Sequence, residues 1–421
     1  MNICFIARSL ADGGAENVAA QLTRIWSGLN HRVVVVSQIP PGERDYPNAV
    51  AAREVIPFER LDEKVIKELY AKYKFDIVVF NGGNCEDNFK EVVRSIKNFT
   101  QAKIILILHH VFSNWLQSTA CSQEFVWPEI HREIDMICPV ERLSALWWHC
   151  QGCNAVCMAN PVACKPDKVN SYRPSHRLVW SGKVWLECKR FNWMVEIFTA
   201  LKRRYEDAEL VVLGTSDAKR EAALLTSLPP EVARAIHFKG FVKSTREELA
   251  KSGLFVHTAN IEAAPQVIPE AQAVGLPSVV YNLPVLYAYD ETQGVVRADS
   301  IDDSVEKISD LFDHPEKMSA LSQAAFADAE IACSDELCAK RWSDLFAALA
   351  DDNLLRQYLR DAEREFTTPR AYQALVREFA EGTHNFVTKF LPDIFRMRRL
   401  RHRMSVKYLF GRILAKLGVA K

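Results

Sequence analysis

Short runs rich in β-branched residues alternate with segments of helical periodicity along most of this chain, and this pattern constrains the fold more than any other feature. Such alternation is typical of α/β units built on a parallel sheet. In the first half it predicts strands at residues 3–7, 33–37, 77–80, 104–108, 136–138 and 155–158. In the second half it predicts strands at residues 178–181, 210–213, 236–238, 254–257, 278–281 and 295–297.

The two rounds of alternation are separated by a polar stretch, residues 165–176, which contains two prolines and few apolar residues. This composition indicates a linker. The sequence therefore predicts an α/β protein of two Rossmann-like, doubly wound domains, residues 1–165 and 176–350, facing each other across a cleft. Residues 351–421 predict a helical, charged extension. Ligands of doubly wound sheets bind at the carboxyl ends of the strands, so we expect the site in the cleft.

The charges are distributed unevenly, although the 421-residue chain carries 53 basic and 53 acidic groups. From Lys389 to the end there are ten Lys or Arg against one acid, and the rest of the chain has a net charge of −9. A basic tail on an acidic body indicates contact with an anionic partner. Five of these basic residues form an arginine cluster, Arg396, Arg398, Arg399, Arg401 and Arg403.

Residues 406–417, which follow these arginines, place apolar side chains on one side of a predicted helix and basic side chains beside them. A basic amphipathic helix binds anionic lipid, at roughly 1 kcal/mol per basic residue near the surface. A terminal helix that packs on the body of the protein is the alternative. Nucleic acid is not an expected partner, because aromatic stacking platforms are sparse in the tail.

No stretch approaches eighteen uninterrupted apolar residues, and the first residues form an apolar run without a basic leader. We therefore expect neither a membrane-spanning helix nor a signal peptide. Eleven cysteines without a secretion signal fit reduced thiols in the cytoplasm. Cys150, Cys153, Cys157 and Cys164 partly resemble a metal site, but the second close pair of a tetrahedral site is missing, so no metal is predicted.

Two features of the first half are candidates for binding. Gly13 and Gly14 follow the first predicted strand and open a helix with Glu16, so the turn offers free N–H groups to an anion or is merely a tight connection. The spacing G-x-G-x-x-G is absent, which argues against a nicotinamide or flavin cofactor. His109 ends another predicted strand, where a neutral histidine can donate to a sugar hydroxyl or phosphate oxygen; a surface histidine is the alternative.

The second half carries a cationic loop and a pair of acids. Gly182 and Lys183 directly follow a predicted strand, and Lys189 and Arg190 come a few residues later. The loop could clamp a diphosphate, although cations on loops are usually just solvated. Glu262 lies in the loop after a later strand, and Glu270 lies eight residues on, at the start of a helix. Two acceptor-only carboxylates suit polyhydroxylated ligands, while the helix dipole by itself also favours an acid at a helix start.

Several short motifs occur in an order that resembles glycosyltransferase family four, the group 1 glycosyltransferases with the two-Rossmann GT-B fold. They are R-S-L-A-D-G-G-A-E near the start, the strand-end His109, Asn160 and Pro161 before the linker, W-S-G-K-V, G-F-V at residues 240–242, and the E-x7-E segment from Glu262 to Glu270. The resemblance covers residues 1 to about 350. Each motif is loose, and their joint order and spacing make the resemblance specific.

The resemblance implies a role for each candidate residue. Glu262 would contact the donor sugar, Glu270 would hold the ribose hydroxyls, and His109 would reach the transferred sugar. The other contacts that it implies are Lys183 and Lys189 for the donor diphosphate, Gln266 and Val267 for the donor, and the loop of Gly13, Gly14 and Glu16 for donor phosphate or acceptor.

The resemblance also implies the chemistry. Enzymes of this kind resemble one another in retaining the anomeric configuration without a bound metal, and the leaving phosphate is thought to help deprotonate the acceptor. The expected substrates are a nucleotide-diphosphate sugar, such as a UDP- or GDP-sugar, and a glycan or lipid-linked acceptor. No cofactor is expected.

Three departures from the family pattern affect the expected donor site. Lys183 stands where an arginine is usual, which removes the bidentate fork of a guanidinium. The second cation is displaced by one residue, so Lys189 and Arg190 compete for its role. Residues 263–266, with the sequence A-A-P-Q, replace a glycine-rich segment and reshape the expected sugar pocket.

The leading hypothesis is a retaining hexosyl- or heptosyltransferase of cell-envelope polysaccharide or lipopolysaccharide biosynthesis. It would work in the cytoplasm, at the inner face of the cytoplasmic membrane. One alternative is an inactive GT-B protein that serves as a binding or scaffold subunit of a membrane-associated glycan assembly. Another is a sugar-nucleotide epimerase, which shares the fold.

Overall fold

The computed structural model describes residues 1–10, 13–40, 42, 52, 54–58, 60–82, 89–113, 128–214, 217–242 and 244–385. These residues form two parallel six-stranded sheets with flanking helices. The predicted α/β architecture of two doubly wound units is therefore confirmed. The predicted basic tail, with Arg396, Arg398, Arg399, Arg401 and Arg403, lies outside the described residues.

The first sheet has the strand order β3-β2-β1-β4-β5-β6, and every pair of neighbours is parallel. Its strands are β1 (Asn2–Ala7), β2 (Arg32–Ser37), β3 (Glu54–Pro57), β4 (Ile77–Asn81), β5 (Lys103–Leu108) and β6 (Met136–Pro139). The inner strands are buried along nearly their whole length. Helices cover both faces of such a sheet, so these strands are continuous apolar runs instead of alternating ones.

The second sheet has the order β12-β11-β10-β7-β8-β9 and is also parallel throughout. Its strands are β7 (Arg177–Ser181), β8 (Glu209–Leu213), β9 (Ile236–Gly240), β10 (Leu254–His257), β11 (Ser278–Tyr281) and β12 (Val295–Ala298). When its strands are numbered from one to six along the chain, the order reads 3-2-1-4-5-6, as in the first sheet. In both sheets the order reverses between the first and fourth strands, β1 and β4 or β7 and β10. A ligand crevice forms outside the carboxyl ends of the strands at such a reversal.

The helices of the first unit are α1 (Gly14–Gly28), α2 (Glu63–Tyr73), α3 (Phe89–Phe99), α4 (Pro128–Arg132) and α5 (Arg142–Cys150). Those of the second unit are α6 (Phe191–Arg204), α7 (Ala218–Ser227), α8 (Pro230–Arg234), α9 (Arg246–Ala250), α10 (Val267–Gln272), α11 (Ile301–Asp313) and α12 (Pro315–Ala332). The chain continues with α13 (Asp335–Ala348), α14 (Asp352–Glu363) and α15 (Pro369–Asn385). Among the described helices, none is both long enough and apolar enough to cross a membrane.

After α12 the chain returns to the first unit. Trp342 and Phe346 of α13 pack edge-on against Trp26 of α1, with ring centroids 4.9 Å and 5.7 Å apart. Arg24 of α1 pairs with Asp335 of α13 at 2.7 Å. Because α13 begins before residue 350 and already packs on the first unit, sequence order and spatial unit do not coincide there. The domain boundaries drawn from the sequence, residues 1–165, 176–350 and 351–421, stay a prediction.

The predicted strand at residues 155–158 is wrong, since only an isolated bridge between Ala155 and Ile137 occurs there. Val156 and Met158 do donate backbone bonds to β6, to the carbonyl groups of Ile137 and Pro139. Pro139 has no N–H to return a bond, so the ladder is interrupted. The short strand β3 was not predicted, because only two β-branched residues separate its terminal Glu54 and Pro57.

We predict that Trp342→Ala lowers the free energy of unfolding by about 3–5 kcal/mol, because it empties a fully buried ring site between α1 and α13. Urea unfolding followed by circular dichroism measures the change. Leu337→Ala, on an exposed position of the same helix, is the control and should change stability by no more than about 0.5 kcal/mol. Equal effects of the two substitutions would show that the Trp342 ring does not hold α13 in place.

Candidate active site

Two loops meet at the strand-order reversal of the second sheet. The loop after β7 ends in a 3-10 turn, Glu187–Lys189, and the loop after β10 carries Glu262. Lys189 Nζ forms a direct hydrogen-bonded ion pair with Glu262 Oε1. Both side chains are largely shielded from solvent, with 26% of the lysine and 13% of the glutamate exposed. The structure thus brings together two residues that the sequence separates by 73 positions.

Glu262 is held as a carboxylate. Its burial alone would raise its pKa, but a hydrogen bond from His257 and the charge of Lys189 outweigh that effect and lower the pKa to about 2. His257, the last residue of β10, donates from Nε2 to Glu262 Oε1 over 3.3 Å. The sequence interpretation did not single out His257. Its position at the carboxyl end of a strand beside the reversal was the available signal.

Packing gives Lys189 and Arg190 different surroundings, while the role of either in binding a diphosphate stays a prediction. The Arg190 guanidinium lies between two aromatic rings, 4.2 Å from the centroid of Trp193 and 4.8 Å from that of Tyr281. Cation–π contacts of this kind fix a guanidinium against the body of the protein. Lys189 is therefore the cation that meets Glu262.

Glu270 lies near the start of α10, as predicted, and is bonded to the adjacent α9 region. Thr245 Oγ1 donates to Glu270 Oε2 over 2.6 Å. Burial raises the pKa of Glu270, and the bond from Thr245 partly opposes this rise.

Gln266 and Val267 are the two other predicted donor contacts. Gln266 precedes α10, and its Oε1 is buried and unpaired within the described residues, whereas Val267 packs against the core of the second unit. A buried carbonyl oxygen of this kind can accept a hydrogen bond from water or from a ligand.

Lys183 projects from the start of the β7 loop into solvent, with its Nζ 5.9 Å from the ring of the half-exposed Trp185. Within the described part of the chain it forms no ion pair. The strand ends beneath it approach closely: a Cβ on Gly214, after β8, would lie 2.1 Å from the carbonyl oxygen of Gly182, and the φ of Gly214 is +122°. Only glycine satisfies both conditions.

The glycine turn of the first unit differs from the expectation of a free anion site. Gly13 precedes α1, and a Cβ at this position would lie 2.0 Å from Glu16 Oε2, so the glutamate side chain folds back over the glycine. A carboxylate at a helix N-terminus is favoured by the helix dipole. A phosphate that used the turn of Gly13 and Gly14 would have to displace Glu16.

His109 follows β5 and belongs to a network at the reversal of the first sheet. Its Nε2 donates to Asn81 Oδ1 over 2.8 Å, and Asn81 Nδ2 donates to the carbonyl of Ala15 in α1 over 3.1 Å. Burial, with a smaller effect of His110, lowers the pKa of His109 to about 3. His109 is therefore neutral at physiological pH, and its Nδ1 is an acceptor. In this tautomer it can accept a bond from a sugar hydroxyl, but it cannot donate to a phosphate from that atom.

The two units meet next to Glu262. Ala263, the following residue, is buried in the same apolar cluster as Leu10 and Met158 of the first unit, and Ala264 packs at its edge. The departure A-A-P-Q from a glycine-rich segment thus has a packing consequence, since the two methyl groups pack at the junction. The loop of Glu262 is fixed by contacts on both sides.

The cysteines that partly resemble a metal site differ in exposure: Cys150 is exposed, Cys153 is buried, and Cys157 and Cys164 are half-buried. Burial raises the pKa of the Cys157 thiol to about 12. Within the described residues, no three His, Cys, Asp or Glu side chains form a group that could hold a metal ion.

Comparisons with known proteins agree with the expected architecture. Residues 175–314 match the family model of the group 1 glycosyl transferases. HepE (Alr3699) from Anabaena, solved with UDP, is 14% identical with a TM-score of 0.66 over 83% of this chain and 100% of that chain. Sucrose-phosphate synthase from Thermosynechococcus elongatus is 12% identical with a TM-score of 0.67 over 83% of this chain and 98% of that one. A search of curated proteins finds no match.

A third similar structure is S. aureus TarM, solved with UDP and α-GlcNAc-glycerol, which is 11% identical with a TM-score of 0.63 over 82% of this chain and 99% of that chain. At these identities the likeness shows the fold, so the GT-B architecture is confirmed over most of the chain. The match to residues 175–314 confirms the resemblance to group 1 glycosyltransferases in the second unit.

We predict that His109→Gln makes stability less sensitive to acid. Between pH 6.5 and 3 the unfolded chain protonates His109 while the folded protein does not, so the wild type loses stability as the pH falls through this range. The variant lacks this loss. Its free energy of unfolding relative to that of the wild type should therefore rise by about 1–2 kcal/mol when the pH falls from 7 to 5. Urea midpoints at the two pH values measure it. His237→Gln, at a half-exposed histidine, is the control, and a pH-independent difference for His109→Gln would contradict the prediction.

Proposed function

We propose that this protein is a glycosyltransferase that moves a sugar from a nucleotide-diphosphate sugar to a glycan or glycolipid acceptor. The observation that carries the proposal is the shielded pair of Lys189 and Glu262 at the strand-order reversal of the second sheet. A diphosphate needs cations and a sugar ring needs acceptors, and the pair supplies one of each at a crevice suited to a ligand. The GT-B architecture and the group 1 match over this unit support the same conclusion.

Donor binding would redistribute the contacts of the free protein. The diphosphate would draw Lys189 away from Glu262 and add Lys183, which has no ion pair among the described residues. Glu262 would then accept bonds from the sugar hydroxyls, while Glu270 would exchange Thr245 for the ribose hydroxyls. UDP is the favoured nucleotide, because the HepE and TarM structures were solved with it.

The electrostatics favour a stabilising role for Glu262. Glu262 is already ionised in the free protein, where its pKa is about 2, and a carboxylate beside the sugar ring is suited to stabilise positive charge that develops there. The lysines would neutralise the leaving diphosphate without a metal. We propose that the leaving phosphate accepts the acceptor proton and that the anomeric configuration is retained.

The acceptor would bind on the first unit, and His109 would reach the transferred sugar, with its Nδ1 accepting a hydrogen bond from a sugar hydroxyl. A hexosyl or heptosyl transfer in cell-envelope polysaccharide or lipopolysaccharide synthesis is the proposed pathway. The cytoplasm is the proposed location, with the basic tail resting on the anionic inner face of the membrane.

The first experiment is isothermal titration with UDP and GDP, followed by a nucleotide-release assay with a panel of UDP- and GDP-sugars and cell-envelope glycan acceptors. Micromolar nucleotide binding with acceptor-dependent release supports the proposal. Absence of any nucleotide binding would favour an inactive scaffold. Isomerisation of the donor without acceptor would favour an epimerase, and the anomeric proton of the product in NMR tests retention.

We predict that Glu262→Ala lowers kcat by about 10³-fold or more, because it removes the group placed to stabilise the charged transition state. Nucleotide release with saturating donor measures the loss, and an unchanged far-UV circular dichroism spectrum at the assay temperature shows that the fold persists. The matched control is Glu187→Ala, an exposed acid in the loop that carries Lys189, which should keep near wild-type kcat. Undiminished turnover of Glu262→Ala would falsify the site assignment.

For Glu270→Ala we predict a different kinetic signature. Loss of a charged acceptor for the ribose should raise the donor KM by about 10–100-fold and change kcat much less, since the ribose is remote from the reacting bond. Steady-state kinetics over a donor concentration series measures both constants. A drop in kcat at unchanged KM would move Glu270 from ribose binding to the reaction centre.

A further inference from the structure

The end of β10 connects both members of the Lys189–Glu262 pair. His257 donates to Glu262 Oε1 over 3.3 Å. The next residue, Thr258, donates from Oγ1 to the backbone carbonyl of Lys189 over 2.9 Å and accepts a bond from Trp180 Nε1 over 3.0 Å. Consecutive residues at a strand end point to opposite sides, so one dipeptide reaches two different loops.

These contacts are shielded from water, since His257 and Thr258 are 4% and 3% exposed. A further backbone bond joins the same loops, from the N–H of Asn260 to the carbonyl of Cys188 over 2.9 Å. Loop residues hold a binding geometry only where a rigid element fixes them. Here the rigid elements are β7, which supplies Trp180, and β10, which supplies the dipeptide.

His257 also has a feature that packing does not explain. Its Nδ1 is buried and has no hydrogen-bond partner within the described residues. A buried polar atom without a partner costs about 1–3 kcal/mol, and an apolar residue of similar size would avoid that cost. The histidine is therefore better explained by the bond that its Nε2 makes than by its contribution to the core.

We propose that His257 and Thr258 are positioning residues that hold Glu262 and Lys189 independently of each other; this inference rests on the proposed function. When a donor diphosphate draws the Lys189 ammonium group away, the N–H of His257 remains as the donor that orients the Glu262 carboxylate. The bond from Thr258 to the Lys189 backbone keeps the lysine in reach of both Glu262 and the diphosphate. The Lys189–Glu262 ion pair can therefore break while both residues keep their positions.

Substitutions at the two positions should affect different constants, kcat at position 257 and UDP affinity at position 258. His257→Leu should lower kcat about 10–100-fold and leave the donor KM within about threefold, because Glu262 loses its orientation. Thr258→Val keeps the shape but removes the hydroxyl, so it should raise the UDP dissociation constant about tenfold with a smaller change in kcat. Gln at 257 retains an N–H at the reach of Nε2, and Ser at 258 retains the hydroxyl. His257→Gln and Thr258→Ser should therefore restore most of each loss.

The experiment measures kcat, donor KM and UDP affinity for wild type, the four variants and the surface control Thr226→Val, together with melting curves. Crystal structures of ligand-free Lys189→Met/His257→Leu, with Lys189→Met as its reference, and of Thr258→Val give a readout that needs no donor. Displacement of the Glu262 carboxylate in the first and of the Lys189 backbone in the second supports the inference, even if wild type binds no nucleotide and the proposed function fails. Unmoved groups, or equal kinetic losses in the Leu and Gln variants, overturn it. If the Leu or Val variant does not fold, His257→Gln and Thr258→Ser carry the test. Glu262 and Lys189 in their wild-type positions, with wild-type kcat, KM and UDP affinity, support the inference. Complete loss of activity or UDP binding in either variant overturns it.

Discussion

In both sheets the strand order reverses between the first and fourth strands, and the polar residues of the candidate site depend on the two crevices that result. Parallel strands bring all their carboxyl ends to one edge, so residues far apart in sequence share a neighbourhood there. Asn81 and His109 meet at the crevice of the first sheet, and Lys189 and Glu262 at that of the second. The two crevices share one architecture but hold different polar groups: the first holds a neutral histidine and the second holds a charged pair.

The Lys189–Glu262 pair also restricts which ligands can bind at this site. In the free protein Lys189 and Glu262 satisfy each other, and this contact keeps two ionised groups stable in a shielded place. A ligand must replace both halves of the contact, which a molecule with an anionic part and a hydroxylated part can do. His257 gives Glu262 a second hydrogen bond, so the carboxylate keeps one protein donor when Lys189 moves to a ligand.

Packing between the units also supports the loop that carries Glu262. Ala263 is buried with residues of the first unit, and α13 returns to that unit through Trp342 and Phe346. The A-A-P-Q departure from a glycine-rich segment, which looks in sequence like a change of the sugar pocket, is in part a change of this junction. Because the loop of Glu262 is held on both sides, a shift between the units would be transmitted to the carboxylate.

The sequence by itself determined the α/β class, the two rounds of strands and the positions of Glu262 and Glu270 after a strand and at a helix start, because these follow from local periodicity. It failed at residues 155–158, where Pro139 of a neighbouring strand removes the N–H that a ladder needs. It left Lys189 and Arg190 equivalent, since adjacent cations have the same local pattern. Only the tertiary structure separated them, by placing Trp193 and Tyr281 around one and Glu262 beside the other. It alone also revealed the hydrogen bond from His257 to Glu262 and the position of the Glu16 side chain over Gly13, because such contacts depend on distances that folding creates.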